Sequence, residues 1–451
     1  MLGFLILATE ILQYKVKLKL NKRLVYFLVL LLLIPFVALI SIGINQTSDI
    51  EFIKYPISMV TILFASYFVA KVLNKFYRKL DFQNISLLIV NIILIQSIIA
   101  FMMFLIPELR DFLLGIQKLA PDDIERMSDF FEFRIIGFGI MFFGAGVISG
   151  FGLILIGALL RFYKLNTKQT IWLSIKFLFI LVVGMMMART TLIGGLLGLM
   201  LIFMPKDLKA TISMVRKRFL FILNIVVIPI ILMMILFFLV PQIGETLEPL
   251  FNFAFEIFIN YFEKGSAESA STNELKNMYI FPENIKTWII GDGFWANPSG
   301  SGYYMHTDVG YLRLIYYFGL VGLFVYLLMQ FVAIRTVFKN YNLSIIFYLT
   351  VFTYLLILNL KGFADLLSFM FLFWMSFYLT KGGKKIAKQN AFNSAVVTGI
   401  MNKDGSAVVG DARAIAYGEM AAGNVFGVAK GTDAHGNTIS LNSGSEGSRV
   451  S

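Results

Sequence analysis

The chain has no cysteine and only two histidines, His306 and His435, in 451 residues. That excludes disulfides, a thiolate nucleophile and a thiolate metal site, and it speaks against a multi-histidine metal centre. Charge is scarce as well. Asp, Glu, Lys and Arg make up 15% of the chain, against about 25% in soluble proteins. With 58% hydrophobic residues, too little polar surface remains to face water on all sides. A cytosolic enzyme, a secreted scaffold and a disordered protein are therefore excluded. Segments of about ten residues with alternating polarity are missing, which excludes an outer-membrane barrel. No small-residue cleavage site follows the first apolar run, so a cleavable signal peptide is not expected. The net charge of +12 lies in short clusters between apolar runs. That is a topology signal, not a face for nucleic acid.

What the sequence does have is long apolar runs, the length a helix needs to cross roughly 30 Å of hydrocarbon. They cover 24–44, 53–73, 86–106, 135–160, 171–187, 190–204, 220–240, 309–333, 343–360 and 364–380. Residues 2–14, interrupted by Glu10, form a weaker first candidate. The expected fold class is all-α, a polytopic integral membrane protein of about 10–11 transmembrane helices. Lys and Arg number 5, 4, 3, 5, 2 and 3 in connectors 15–23, 71–81, 161–170, 205–219, 335–342 and 381–385. The alternate connectors, 45–54, 107–134, 188–191, 241–308 and 361–362, are poorer in them for their length. The first set is thus expected in the cytoplasm, where the core also ends. The two long outside connectors are acidic: 107–134 holds seven acidic against four basic residues, and 241–308 nine against three.

Three regions follow: a membrane core over 1–385, a large outside loop over 241–308 within it, and a compositionally different segment over 386–451. That last segment, rich in Gly, Ala, Ser and Asn, reads as an appended piece, a flexible cytoplasmic tail or an artefactual extension. His435 lies there and is given no role.

The outside loop far exceeds what a connector needs. Glu248, Asn252, Glu256 and Asn260 recur every four residues from Glu245 to Glu263, which predicts a helix with one polar stripe. Such a helix could lie in the membrane interface or cover the bundle. Ser271-Thr-Asn-Glu274 predicts a capping box for a second helix. A short amphipathic turn follows at Asn284–Ile290, and then the helix-breaking Gly291-Asp-Gly-Phe-Trp295. Trp295, Tyr303 and Tyr304 are either interface aromatics or platforms for stacking sugar rings.

Candidate chemistry collects on the outside. His306 is the only histidine in the core, and reads as a polar anchor or a base. Thr307 or Asp308 would cap the next helix, with Asp308 suited to its positive end. Arg313 lies about 7–8 Å further along that helix, within snorkelling reach of water. Arg189 falls at the turn of a hairpin whose second arm, 190–204, is too short to span the core, so the turn should lie in a recess. Gly194, Gly195 and Gly198 would let that arm pack closely. An arginine in a recess needs a partner, either a loop carboxylate or an incoming anion. Two guanidiniums suit phosphate, which they grip bidentately.

Gly291-Asp-Gly-Phe-Trp, Tyr303-Tyr-Met-His-Thr-Asp-Val-Gly-Tyr-Leu-Arg313 and Phe318-Gly-Leu-Val-Gly322 together resemble the bacterial O-antigen polymerases of the Wzy type. Met187-Ala-Arg-Thr-Thr-Leu-Ile-Gly-Gly195 is similar to the arginine turn shared by those polymerases and the O-antigen ligases. The resemblance covers 1–385, is most specific over 291–322 and does not extend to 386–451. The short first span departs from it. It implies a GT-C-like glycosyltransferase of the bacterial inner membrane that uses no metal, cofactor or nucleotide sugar. The growing glycan on undecaprenyl pyrophosphate would pass to a lipid-linked repeat unit, with inversion at the anomeric carbon. By that resemblance His306 takes or orients the acceptor proton, Asp308 supports it, and Arg189 and Arg313 hold the pyrophosphate. Membrane lipids and a chain-length regulator would be its partners. An O-antigen ligase is the first alternative, and a lipid-linked oligosaccharide flippase a more distant one, since no internal repeat is apparent.

Overall fold

The computed structural model describes residues 3, 22–77, 80–117, 127, 130–140, 142–204, 241–266, 268–299, 302–379, 428–432, 438–442 and 449–450. The predicted spans 2–14 and 220–240 lie outside the described residues, apart from Gly3. The rest of the core is helical. In chain order it comprises α1 (Lys22–Asn45), α2 (Glu51–Phe76), α3 (Phe82–Leu105), α4 (Pro107–Ile116), α5 (Phe142–Phe162), α6 (Thr167–Met187) and α7 (Thr191–Phe203). It continues with α8 (Pro241–Lys264), α9 (Ala270–Asn277), α10 (Ile285–Ile290), α11 (Gly310–Asn340), α12 (Ile345–Leu358) and α13 (Leu367–Leu379). Six of them, α1, α2, α3, α5, α6 and α11, are long and apolar enough to cross a membrane. Many outward side chains on these helices are large and apolar, among them Leu32, Phe36, Ile92, Ile95 and Phe324. A protein facing water would bury such groups; one facing lipid has no reason to.

Apart from the end of 309–333, which α11 continues to Asn340, the predicted boundaries agree with the described helices to within about four residues, save at 135–141. That stretch was expected to open a span. Instead, Ile135 donates its backbone N–H to Met186 O (3.2 Å), and the helix begins only at Phe142.

α5 is buried along nearly its whole length, and α7 packs against it without intervening side chains. A Cβ on Gly194 would stand 2.2 Å from Gly150 Cα, so only glycine lets the two backbones meet. α7 has 13 residues and rises about 20 Å, short of the hydrocarbon thickness.

α11 is not one continuous helix. Phe318 (φ −140°) and Gly319 (φ +68°) interrupt it. The break frees the carbonyls of Tyr316 and Tyr317, and an orphan carbonyl is costly in apolar surroundings. The Gly291–Trp295 loop satisfies them: Asp292 N donates to Tyr316 O (2.6 Å) and Gly293 N to Tyr317 O (3.1 Å). Ser41 Oγ, from α1, gives Tyr317 O a second bond (2.7 Å). The α1–α2 connector holds the same loop. Asn45 Nδ2 donates to Gly291 O (2.9 Å), Thr47 Oγ1 to Gly293 O (3.0 Å), and Asp49 Oδ2 accepts from Trp295 N (2.8 Å).

In the appended segment Val428–Thr432, Thr438–Asn442 and Arg449–Val450 form a three-stranded antiparallel sheet, β1-β2-β3. Val428 pairs with Asn442, Thr432 with Thr438 and Leu441 with Val450. The sequence reading placed no strand there, because the flanking composition hides two five-residue runs.

Gly319→Ala should cost about 1–3 kcal/mol from its left-handed φ alone, and its Cβ would also stand 2.1 Å from Ile289 O. A lower melting temperature in detergent is expected, whereas Gly43→Ala, which meets nothing within 4 Å, should melt like the wild type. Equal melting of the two variants would contradict the account of the break.

Candidate functional site

Arg189 stands at the α6–α7 turn with its side chain 9% exposed. Its Nε donates to Phe253 O (2.6 Å), one terminal nitrogen to Ser271 Oγ (3.1 Å), and the other pairs with the Glu256 carboxylate. The guanidinium also lies 4.4 Å from the centroid of the Phe253 ring. The predicted polar stripe of α8 thus supplies the partner of the recessed arginine. The opposite face of α8 covers the bundle, placing Leu247, Leu250 and Ala254 against Val183, Met185 and Met186. Glu256 Oε1 also accepts from Ala270 N (2.9 Å), tying α8 to α9.

The cap of α9 differs from expectation. Ser269 Oγ accepts from Thr272 N, and Thr272 Oγ1 accepts from Ser269 N (2.7 Å). The box is Ser269/Thr272, two residues before the predicted one, because the Ser271 hydroxyl is occupied by Arg189.

A second arginine, Arg134, shares this roof. Its Nε donates to Met187 O (2.6 Å), and its guanidinium lies 4.6 Å from the Phe142 ring and 5.1 Å from the Phe253 ring. Arg134 and Arg189 therefore flank one phenyl ring. Burial and the neighbouring Arg189 lower the Arg134 pKa to about 10. Burial also lowers that of Arg189, against the pull of Glu256. Among the described residues Arg134 has no carboxylate partner, and its terminal nitrogens make no hydrogen bond.

Lys361 completes the cluster from the α12–α13 connector. Tyr311 anchors the end of α12, its N–H on Asn359 O (3.1 Å) and its hydroxyl on Leu356 O (2.8 Å). Tyr279 Oη bonds Leu360 O. Lys361 forms no ion pair or side-chain hydrogen bond among the described residues. Burial, then Arg134 and Arg189, depress its pKa to about 8, with Asp308 and Glu274 opposing.

Arg313 sits at the start of α11, 6% exposed, between two rings: its guanidinium carbon is 3.7 Å from the Trp295 centroid and 3.6 Å from that of Tyr303. Such contacts are worth about 0.5–2 kcal/mol each. Asp308 pairs with it at 3.5 Å. Burial raises the Asp308 carboxyl, while Arg313 and Lys361 oppose that rise. Asp308 does not cap α11 and makes no hydrogen bond to His306. The N-cap is Val309, whose N–H reaches Thr307 Oγ1 (3.3 Å), and Thr307 itself donates to Met278 O (2.7 Å). Arg313 takes the carboxylate because it is held in reach by the rings.

The aromatic candidates divide. Trp295 packs edge-on against Phe52 and Phe363, and Tyr304 against Phe294 and Tyr316, with its hydroxyl on Asp292 (3.3 Å). Tyr303, 43% exposed, keeps a surface for a ligand. His306 is exposed and follows Met305, and both have left-handed backbones (φ +52° and +54°). Two successive non-glycine residues in that region store strain of the kind that clusters at working sites. The imidazole has no hydrogen-bond partner among the described residues.

Comparison with protein-family profiles, curated proteins and solved structures gives no match. Function has to be argued from side chains and geometry.

The cations fall into two groups: Arg134, Arg189 and Lys361, with Glu256 paired to Arg189 and Glu274 acting on Lys361, and Arg313, paired with Asp308. Desolvated positive charge with free N–H donors is the chemistry that suits a multiply charged anion. Sequence reasoning missed Arg134 and Lys361. Arg134 was one of eleven charges in an acidic loop; Lys361 was the lone charge of a short turn between apolar runs, a signal that could have singled it out.

If Lys361 binds an anion, affinity for inorganic pyrophosphate should fall as pH rises through about 8, where the ammonium loses its proton. Below that pH the charged amine is present at a cost to folding, since its pKa is depressed. Calorimetry on the detergent-purified protein checks this, and Lys361→Met should flatten the profile. A wild-type profile in that variant would remove Lys361 from the site.

Proposed function

We propose that this protein is a membrane glycosyltransferase, a polysaccharide polymerase of the O-antigen type. It moves a growing glycan from undecaprenyl pyrophosphate to an incoming lipid-linked repeat unit at the outer face of the inner membrane. The observation that carries the reading is the pair of buried arginines, Arg189 and Arg313, together with the exposed His306 on a left-handed turn. The family resemblance of 187–195 and 291–322 points the same way.

The cations receive the pyrophosphate. The acceptor hydroxyl oxygen attacks the anomeric carbon, forming the new C–O bond, while the bond from that carbon to the pyrophosphate oxygen breaks. The electron pair leaves with the pyrophosphate, whose growing charge falls among fixed guanidiniums instead of in water. His306 takes the hydroxyl proton as the bond forms, acting as general base through an imidazole with no hydrogen-bond partner among the described residues. The leaving group is stable as an anion, so no general acid is needed. One displacement inverts the anomeric configuration. Arg313, clamped between Trp295 and Tyr303, holds the acceptor side of the charge field, and the free surface of Tyr303 is available to a sugar ring.

Cells lacking the gene should lose the glycolipid ladder but keep core carrying one repeat unit, and a His306→Ala copy should fail to restore the ladder. Full ladders from that copy would remove the base. Loss of every repeat from the core, with polymer built up on the carrier lipid, would replace polymerase by ligase. Arg189→Lys should reduce chain growth at least tenfold, because an ammonium cannot reproduce the three-directional fork; unchanged ladders would leave Arg189 a structural anchor.

A further inference from the structure

Lys176 stands near the middle of α6, nine residues from Thr167 and eleven from Met187, so about 14 and 16 Å of helix separate it from the two ends. Among the six helices long enough to cross a membrane, it is the only Lys or Arg further than five residues from an end. The side chain is partly exposed and does not climb toward either surface. Its ammonium donates to Asn91 Oδ1 (2.5 Å), and Asn91 likewise lies nine residues into α3. The outward face around the pair is apolar: Ile92 and Ile95 on α3 are both 56% exposed, and Trp172 and Ile175 on α6 are 55% and 45% exposed. Among the described residues Lys176 has no carboxylate partner, and the Asn91 amide nitrogen donates to no group. Donors are therefore left over on a face that has no acceptor. A lysine at this depth is costly and as a rule paired. The apolar runs of the chain hold two acidic residues, Glu10 and Asp365. Asp365 accepts from Tyr55 Oη (2.5 Å) and Leu367 N (2.7 Å), and Glu10 lies outside the described residues.

We propose that the α3–α6 face is a docking surface for a transmembrane helix of a second protein, one that carries an Asp or Glu at mid-depth. The carboxylate accepts from Lys176 Nζ and Asn91 Nδ2, and the apolar residues on either side of it pack along Ile92, Ile95, Trp172 and Ile175. Charge complementarity commits the occupant. A lipid tail brings no acceptor, and a second copy related by a two-fold axis would set Lys176 against Lys176. No residue of this face belongs to the site assigned to glycan transfer, so the two readings stand or fall separately.

The absence of cysteine makes the test clean, since Ile175→Cys gives the full chain a single thiol on this face. The purified protein is reconstituted in phosphatidylcholine vesicles with a synthetic transmembrane peptide of about 20 leucines, bearing one central Asp and a neighbouring Cys. Under copper–phenanthroline oxidation the mixed disulfide should form roughly tenfold more with this peptide than with one carrying Leu in place of the Asp, the scale of one interhelical polar contact in a bilayer. Lys176→Met should bring the Asp peptide down to the Leu level, and Lys176→Arg should keep the preference. Should Lys176→Met fail to fold, the comparison of Asp and Leu peptides on the Ile175→Cys chain decides alone. Equal capture of the two peptides would overturn the proposal, as would a disulfide between two copies of the chain that excludes the peptide. A preference for Asp that emerges only when Glu10→Gln is also present would overturn it too, by assigning Lys176 to the chain's own first apolar run.

Discussion

The interruption of α11 at Phe318-Gly319 is the constraint on which the rest of the site depends. A helix in apolar surroundings cannot be broken unless something else satisfies the freed carbonyls. Here the donors come from Asp292 N, Gly293 N and Ser41 Oγ. One break thus binds the Gly291–Trp295 loop, α1 and the α1–α2 connector into a single unit. It also sets the first two turns of α11 as a short helix buried on all sides, from Gly310 to Tyr317. Arg313 belongs to that helix, and Trp295 to the loop that docks on it. The cation–π clamp around Arg313 is a consequence of the break.

The second cluster depends on a different economy of space. Glycine contacts bring α7 against α5, and Arg189 stands at the turn before α7. An arginine there would be a destabilising charge without α8, which supplies Glu256 and the Phe253 carbonyl. Only one of the neighbouring cations is neutralised this way. Arg134 is fixed through Nε, which leaves its terminal fork unused, and Lys361 has only distant carboxylates. Structure alone would be served better by apolar residues at both positions, since a desolvated charge without a close partner costs stability. A bound anion would supply the counterion that both lack.

Much of this was legible in the sequence. Runs of apolar residues located the helices because the bilayer imposes length and polarity directly. The close packing of the arm after Arg189 followed from Gly194 and Gly198. Three things were not legible. Partner choice was ambiguous: Glu256 stood in a stripe of four equivalent polar residues, and only the fold shows which one faces Arg189. Asp308 was assigned by sequence proximity to His306 and to the helix end, whereas the aromatic clamp delivers Arg313 to it. Arg134 and Lys361 are more than two hundred residues apart, so their meeting is a property of tertiary structure. The aromatic residues read as either interface anchors or sugar platforms are divided between holding Arg313 and filling the loop core, with Tyr303 the most exposed of the three.

The central claim is that glycan transfer happens on this chain and ends with charge delivered to the cation cluster. The most direct measurement is a reaction of the purified protein in detergent with a lipid-linked repeat unit, followed by mass spectrometry of both glycan and lipid. The account predicts oligomers of increasing length, one undecaprenyl pyrophosphate released for every linkage formed, and inverted anomeric configuration at each new bond. Unchanged single repeats under conditions where the substrate binds would contradict it, as would oligomers formed without release of the pyrophosphate lipid.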